Sequence, residues 1–238
     1  MRADVAVLPS AAALADAVAG RFVAAARDAI DSRGQFLVAL SGGKTPRDTS
    51  LRLGTEALVS QGMWSRVQVL WTDERCVPPD HAESNYRMAR ETLLDRVPVP
   101  AANVHRIHGE DDPTLAAGVY ETTLRALARI DLVLLGLGED GHTASLFPGS
   151  AAVHESTRWV MAARAGATSM WRITLTPAVI NAALEVLFLV SGAAKAGILC
   201  RVLEGPRRPQ ELPAQAIAPV HGSVRWCVDA AAAADLTP

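Results

Sequence analysis

A short apolar run that ends in a polar, glycine-rich loop places the strongest constraint on the fold of this chain. Leu132–Leu135 contains no polar residue, and residues 136–142 then hold three glycines, two acids and a histidine. Strands that are apolar along their whole length are typical of parallel sheets, because both faces of those sheets are covered. Open α/β sheets bind ligands beyond the carboxyl ends of such strands. The run therefore predicts a buried parallel strand with His142 at the rim of a cleft.

Similar strand-like runs alternate with helical patterns along the rest of the chain, as expected of βαβ units. Strands are predicted at residues 5–8, 36–40, 67–71, 131–135, 171–175, 186–190 and 223–228, and helices at 11–30, from 46, at 84–94 and at 113–128. We therefore expect residues 1–238 to form a single α/β domain with a mostly parallel, Rossmann-like sheet and helices on both faces.

Composition narrows the possible partners. The 238 residues carry a formal net charge of −2, without the basic excess that nucleic-acid-binding proteins usually show. Cys76, Cys200 and Cys227 are scattered, so neither a disulfide framework nor a metal site is indicated. No apolar stretch reaches the roughly 18 residues of a membrane span, and residues 1–9 do not resemble a signal peptide. We expect a cytoplasmic monomer that binds neither nucleic acid nor membrane and uses no metal or other cofactor.

The loop after the predicted strand at 36–40 indicates an anion site. After the strand at 36–40 come Ser41, Gly42, Gly43, Lys44 and Thr45, with Pro46 in the first turn of the next helix. Small residues with free N–H groups at a helix N-terminus are suited to phosphate, although an ordinary tight turn would have the same sequence. The loop lacks the Walker A spacing, so a phosphate monoester is favoured over a nucleoside triphosphate.

Two cationic residues near strand boundaries are also candidates for binding this anion. Lys195 follows the strand at 186–190 and is predicted in the first turn of a helix, where a cation is unfavourable unless an anion binds there. Arg172, at the start of its strand, is a weaker candidate and, taken alone, is typical of a surface arginine.

Two further strand ends offer chemistry. Thr72 to Arg75 could be a solvated turn, or Asp73 could accept a hydrogen bond from a substrate hydroxyl or water while Arg75 stabilises negative charge. His142, next to Asp140, is suited to proton transfer near neutral pH, and Gly138 and Gly141 shape its loop.

Five stretches resemble the 6-phosphogluconolactonase family, in that family's order and over nearly the whole chain. They are LSGGKTP (40–46), WTDERCVPPDHAESNYRMARETLL (71–94), LGLGEDGHTASLFPGS (135–150), RITLTPAVINAA (172–183) and VSGAAKAGIL (190–199). The resemblance implies a fold shared with glucosamine-6-phosphate isomerases and related to ribose-5-phosphate isomerase. It also implies hydrolysis of 6-phospho-D-glucono-1,5-lactone, a small phosphosugar lactone, to 6-phosphogluconate in the oxidative pentose phosphate pathway.

The resemblance also implies roles for individual residues. His142 would be the general base, and Asp73 and Arg75 would position the substrate and stabilise charge. The phosphate pocket would contain Ser41 to Thr45 together with Arg172 and Lys195.

Two other functions remain open on the sequence. In related deaminases the histidine loop reads DGHIAFNEPGSS, with a glutamate at the position of Phe147, and the strand-end loop reads DEY rather than Asp73-Glu74-Arg75; both departures disfavour ring-opening chemistry. A phosphosugar sensor of this fold would carry a DNA-binding helix pair before its first strand, and a first strand near residue 5 leaves no room for one.

Overall fold

The computed structural model describes residues 3–55, 61–164, 166 and 169–237. The predicted domain, residues 1–238, and the segment 1–9 assessed for a signal peptide both include positions outside these ranges. Within the described ranges, no helix is long and apolar enough to cross a membrane.

Six strands form a parallel sheet, as the continuous apolar runs predict. Their order across the sheet is β1, β9, β8, β5, β2, β3, and all five pairings are parallel. The strands are β1 Asp4–Leu8, β2 Phe36–Leu40, β3 Val67–Trp71, β5 Leu132–Leu135, β8 Glu185–Val190 and β9 Ser223–Asp229. Every residue of β2, β5 and β8 is buried. Because parallel strands end at one edge, the loops after β2, β5 and β8 open on the same side.

Helices connect these strands. They are α1 Ala11–Arg33, α2 Lys44–Leu53, α3 Gln61–Trp64, α4 Asn85–Thr92, α5 Pro113–Ala126, α6 Pro177–Ile180 and α7 Ala196–Leu203. Ser10 caps α1, because its side chain accepts a hydrogen bond from the Ala13 N–H at 3.2 Å. Gly34, at φ 78°, ends that helix in a left-handed conformation suited to glycine. The helices predicted over 84–94 and 113–128 end earlier, at Thr92 and Ala126.

A second, antiparallel sheet has no counterpart in the predicted βαβ pattern. It contains β4 Asp73–Arg75, β7 Arg172–Leu175 and β6 Val160–Ala163, in that order across the sheet. The strand predicted at 171–175 therefore exists but lies outside the parallel sheet. Strand β6 is missed because two of its four residues are alanines, which are depleted in strands. Strand β4 is missed because all three of its residues are charged.

The charged residues of β4 are not a solvated turn. Asp73 is 5% exposed and Glu74 is 2% exposed. One residue, Thr72, separates β3 from β4, and its N–H donates to the Leu40 carbonyl at 2.8 Å. The chain thus passes directly from the edge of the large sheet into the small one, and this passage places β4 next to the loop that follows β2.

Candidate active site

The segments predicted to carry the chemistry open into one cavity of about 480 Å³. This volume lies within the range of small-molecule sites, roughly 300 to 1,000 Å³. The predicted residues that line it are Ser41, Gly42, Gly43, Lys44, Thr45, Asp73, Arg75, Gly138, His142, Arg172 and Lys195. Asp140 and Gly141, the other predicted residues, stand in the same loop as His142.

His142 lines one wall of the cavity and is paired with Asp140. The Nδ1 atom of His142 lies 2.5 Å from Oδ1 of Asp140, and the same oxygen accepts the His142 backbone N–H at 3.1 Å. Burial acts to raise the pKa of Asp140, but the hydrogen bonds and the charge of His142 outweigh it and hold that pKa below its usual value. An ionised Asp140 therefore fixes Nδ1, which leaves Nε2 as the ring nitrogen available to a ligand.

Two glycines give this pair its shape. A Cβ at Gly138 would lie 2.1 Å from Nδ1 of His142, so the imidazole needs a residue without a side chain there. Gly141 has φ +85° and sits against Leu212, whose Cδ2 would lie 2.8 Å from an added Cβ. The predicted support from these two glycines is therefore steric at Gly138 and both conformational and steric at Gly141.

The N-terminus of α2 forms a second wall. The cap residue Gly43 has φ 102° and offers no side chain to the first-turn N–H groups. Gly42 packs against Asn85, and an added Cβ there would lie 1.8 Å from Asn85 Oδ1. A helix N-terminus without a side-chain cap, at the lining of a cavity, is suited to an anion.

The two hydroxyls in this loop make contacts within the protein. Ser41 is 5% exposed and its hydroxyl donates to the Leu134 carbonyl at 2.5 Å. Its proton therefore links the end of β2 to β5 and is not available to a ligand. Thr45 Oγ1 lies 2.8 Å from Ser191 Oγ and joins this loop to the one after β8.

Two arginines occupy directly paired positions of the small sheet. Arg75 and Arg172 face each other in the β4–β7 register, and both line the cavity. Like charges in such a pair are destabilising unless an anion compensates them. Burial lowers the pKa of Arg172, Asp73 opposes that change, and the Arg75 charge adds to it. Arg172, predicted to be a surface residue when taken alone, is instead part of a cationic wall.

Arg75 is only partly satisfied by the protein. Its Nη1 donates to the Glu83 carbonyl, while its Nε is buried and has no hydrogen-bond partner in the described part of the chain. A buried donor without a partner carries a cost in free energy.

Asp73 is held by three neighbours. Its Oδ2 accepts the Ser145 hydroxyl at 2.6 Å, its Oδ1 accepts Asn85 Nδ2 at 3.2 Å, and Arg172 Nη1 lies 3.9 Å away. With its side chain 7% exposed, Asp73 orders the residues around it more than it reaches into the cavity. Ser145 is fully buried, so this pairing gives no exposed nucleophile.

Lys195 completes the lining at the end of a short 3₁₀ turn, Ala193–Lys195, directly before α7. Its Nζ lies 3.9 Å from Oε1 of Glu139, whose side chain is 75% exposed. This weak pairing leaves the ammonium charge available on the same side of the cavity as the α2 N-terminus, because Thr45 and Ser191 join the two loops.

Two functional residues were missed by sequence reasoning. Asn85 lines the cavity and bridges the Gly42 loop to Asp73, donating to the Asp73 carbonyl at 2.9 Å. Glu74 caps α4: its carboxylate accepts the N–H groups of Asn85 and Tyr86 at 2.7 and 2.8 Å. Burial raises the pKa of Glu74, and these backbone donors oppose that change. No local pattern indicates Glu74, because it stands eleven residues before Asn85 and the local cap of α4 is Ser84, whose hydroxyl accepts the Arg87 N–H at 3.1 Å.

Other candidate chemistry is not found at this cavity. The histidines at 81, 105, 108, 154 and 221 are not among its lining residues. Within the described residues, no group of three or more His, Cys, Asp and Glu side chains is placed to hold a metal ion. That no cofactor is needed stays a prediction.

Known proteins resemble this chain over almost its whole length. Residues 9–226 match the family described as glucosamine-6-phosphate isomerases/6-phosphogluconolactonase. A 6-phosphogluconolactonase of Nostoc sp. is 38% identical over 247 residues, with 100% of each chain covered. The solved structure of a 6-phosphogluconolactonase from Trypanosoma brucei matches with a TM-score of 0.88 at 29% identity, covering 99% of each chain. A monomeric glucosamine-6-phosphate deaminase matches with a TM-score of 0.83 at 22% identity, covering 98% of this chain and 99% of that chain, which shows the shared fold alone.

Proposed function

The chain belongs to the family of glucosamine-6-phosphate isomerases and 6-phosphogluconolactonases, and from this premise we propose that it hydrolyses 6-phospho-D-glucono-1,5-lactone to 6-phospho-D-gluconate, a step of the oxidative pentose phosphate pathway. The observation that carries the proposal is one cavity whose lining includes both the His142 imidazole and an uncapped helix N-terminus. A phosphorylated lactone has an anion at one end and a reactive carbonyl at the other. The cavity offers a partner to each.

The phosphate is bound at the α2 end of the cavity. Backbone N–H groups of Gly42 to Thr45 donate to its oxygens, aided by the helix dipole. Lys195 adds a positive charge from the neighbouring loop. This anchoring fixes the far end of the sugar, so that the carbonyl carbon is presented to His142.

His142 acts as a general base on water. Asp140 holds Nδ1 protonated. Nε2 removes a proton from a water molecule while the oxygen of that water bonds to C1, the carbonyl carbon of the lactone. The carbonyl electron pair moves to the oxygen, giving a tetrahedral intermediate. The bond from C1 to the ring oxygen then breaks, and the imidazolium returns its proton to that oxygen. The resulting acid releases one proton to solvent.

The negative charge of the intermediate is stabilised by the arginine wall. Arg75 and Arg172 both line the cavity and are directly opposite in register. Preorganised donors of this kind are most effective where charge develops during the reaction. Asp73 balances part of the Arg172 charge, with its carboxylate 3.9 Å away.

Replacing the base tests this function directly. In His142→Ala, we expect kcat to fall by about 10²- to 10⁴-fold, the usual contribution of general base catalysis. The assay uses fresh lactone and subtracts spontaneous ring opening. His108→Ala is the matched control, because that histidine is exposed and outside the cavity lining. Wild-type turnover by His142→Ala would exclude His142 from the chemistry.

A deaminase reaction is the rival within the family. Phe147 stands where the related deaminases place a glutamate, and a phenyl ring cannot carry a proton. We expect no release of ammonia from glucosamine 6-phosphate. Binding of 6-phosphogluconate without hydrolysis of the lactone would instead favour a non-catalytic sensor.

We also propose that the whole chain acts as one domain, as a cytoplasmic monomer, without nucleic acid or membrane partners and without a metal. The three cysteines are free, which is typical of a reducing compartment. The buried side chains of both sheets belong to one hydrophobic cluster. A single cooperative unfolding transition, a monomer mass in light scattering and full activity in EDTA are the expected results.

A further inference from the structure

Phe147 stands in the His142 loop and touches two parts of the cavity wall at once. Its ring centroid lies 5.1 Å from that of His142, with the ring planes 51° apart. The guanidinium carbon of Arg172 lies 5.6 Å from the same phenyl centroid. The phenyl group is 5% exposed. One buried ring therefore contacts both the base and one of the cations of the site.

Neither of these two groups is fully fixed by its other contacts. The imidazole donates one hydrogen bond to the protein, from Nδ1 to Asp140 Oδ1, and this bond fixes one ring atom rather than the plane of the ring. The nearest anion to Arg172 is Asp73, and at 3.9 Å it is beyond normal hydrogen-bond length. The phenyl ring restrains both groups, by aromatic contact with the imidazole and by the attraction of its face for a cation.

We propose that Phe147 is a positioning residue for the lactone hydrolysis, which orients the His142 imidazole and the Arg172 guanidinium toward the same substrate. This inference rests on the proposed function. The residue contributes no proton and no charge, and it acts through the two side chains that it touches. An aliphatic side chain of similar volume fills the same space but has neither the flat face nor the quadrupole of a phenyl ring.

The first test is Phe147→Leu, with Phe147→Met as a second variant of different shape in case the leucine protein does not fold. We expect kcat for the lactone to fall about tenfold in either, since aromatic and cation–π contacts of this kind carry about one power of ten. Activities are expressed per folded protein, measured by circular dichroism. Phe22→Leu is the matched control: it makes the same change in a fully buried ring that packs on Phe36 and Trp64.

A double-mutant cycle distinguishes positioning from a structural role. Asp140 and Phe147 restrain the same imidazole, so once Asp140→Asn has released it, the loss of the ring should matter less. We expect Phe147→Leu to reduce kcat by less than about threefold in the Asp140→Asn background, a clear departure from additivity. Phe22→Leu should change kcat by the same small factor in both backgrounds.

Two results would overturn the inference: an unchanged kcat in both ring-deleted variants, or an equal fractional loss with and without Asp140. Either result would leave the lactonase function intact if the wild-type protein hydrolyses the lactone. A wild-type protein without that activity would remove the proposed function itself.

Discussion

At the scale of single residues, the imidazole of His142 depends on its neighbours for its orientation. Asp140 binds Nδ1, Gly138 makes room for the ring, and Phe147 packs on it. Without these contacts the imidazole would sample several orientations, and it would occupy the productive one only part of the time. The proposed role of His142 as general base therefore depends on the loop in which it stands.

Asp140→Asn isolates the contribution of the carboxylate. We expect kcat to fall by about ten- to a hundredfold, because the amide no longer fixes the Nδ1 proton or stabilises the imidazolium. KM should change little, since Asp140 does not line the cavity. Steady-state kinetics on fresh lactone measures both. A rise in KM with unchanged kcat would place Asp140 in substrate binding instead.

The pKa of Asp140 also sets the pH at which its carboxylate stops stabilising the fold. That pKa lies below its usual value, so the carboxylate is charged in neutral and mildly acidic solution. A carboxyl group whose pKa is lower in the folded state stabilises the fold at pH values above its ordinary pKa in the unfolded chain. This stabilisation is lost only as pH falls through the lowered pKa.

Lys195 tests the anchoring of the phosphate. We expect Lys195→Ala to raise KM more than it lowers kcat, because the ammonium binds the phosphate equally in the substrate and in the transition state. Lys44→Ala is a useful comparison, since Lys44 begins α2 in the same cavity wall. A fall in kcat with unchanged KM in Lys195→Ala would contradict a purely anchoring role.

At the scale of elements, the side chains of the site come from short segments after strands of the parallel sheet and from two strands of the small sheet. Those after β2, β5 and β8 could be predicted, because an apolar run followed by glycines is a local pattern. That residues 73–75 form a strand could not be predicted, because the pairing with β7 joins residues about a hundred positions apart, such as Glu74 and Ile173. The contacts of Asn85 and Ser145 with Asp73 were missed for the same reason.

Gly42→Ala tests how closely two of these elements approach. The added Cβ would lie 1.8 Å from Asn85 Oδ1, so either Asn85 or the loop at residues 41–45 has to move. We expect a KM at least several-fold higher, since a misplaced helix N-terminus binds the phosphate less well. Gly20→Ala is the control, because it lies within α1 with open space around it and should stabilise the helix by about 0.5–1 kcal/mol. An unchanged KM in Gly42→Ala would show that the close approach is not needed for binding.

At the scale of the whole molecule, two sheets meet where the site is built. The parallel sheet supplies the α2 N-terminus and the loops of His142 and Lys195, and the antiparallel sheet supplies the paired arginines. The strand ends of the parallel sheet lie beside the antiparallel sheet. The uncapped N-terminus of α2 and the His142 imidazole therefore line the same cavity. The central claim is that a phosphorylated lactone spans this cavity in one direction only.

A crystal structure with bound 6-phosphogluconate is the measurement that tests this claim most directly. We expect the phosphate at the N–H groups of Gly42 to Thr45, near Lys195, and the C1 carboxylate within hydrogen-bonding distance of His142 Nε2. The opposite orientation, or binding outside this cavity, would contradict the claim.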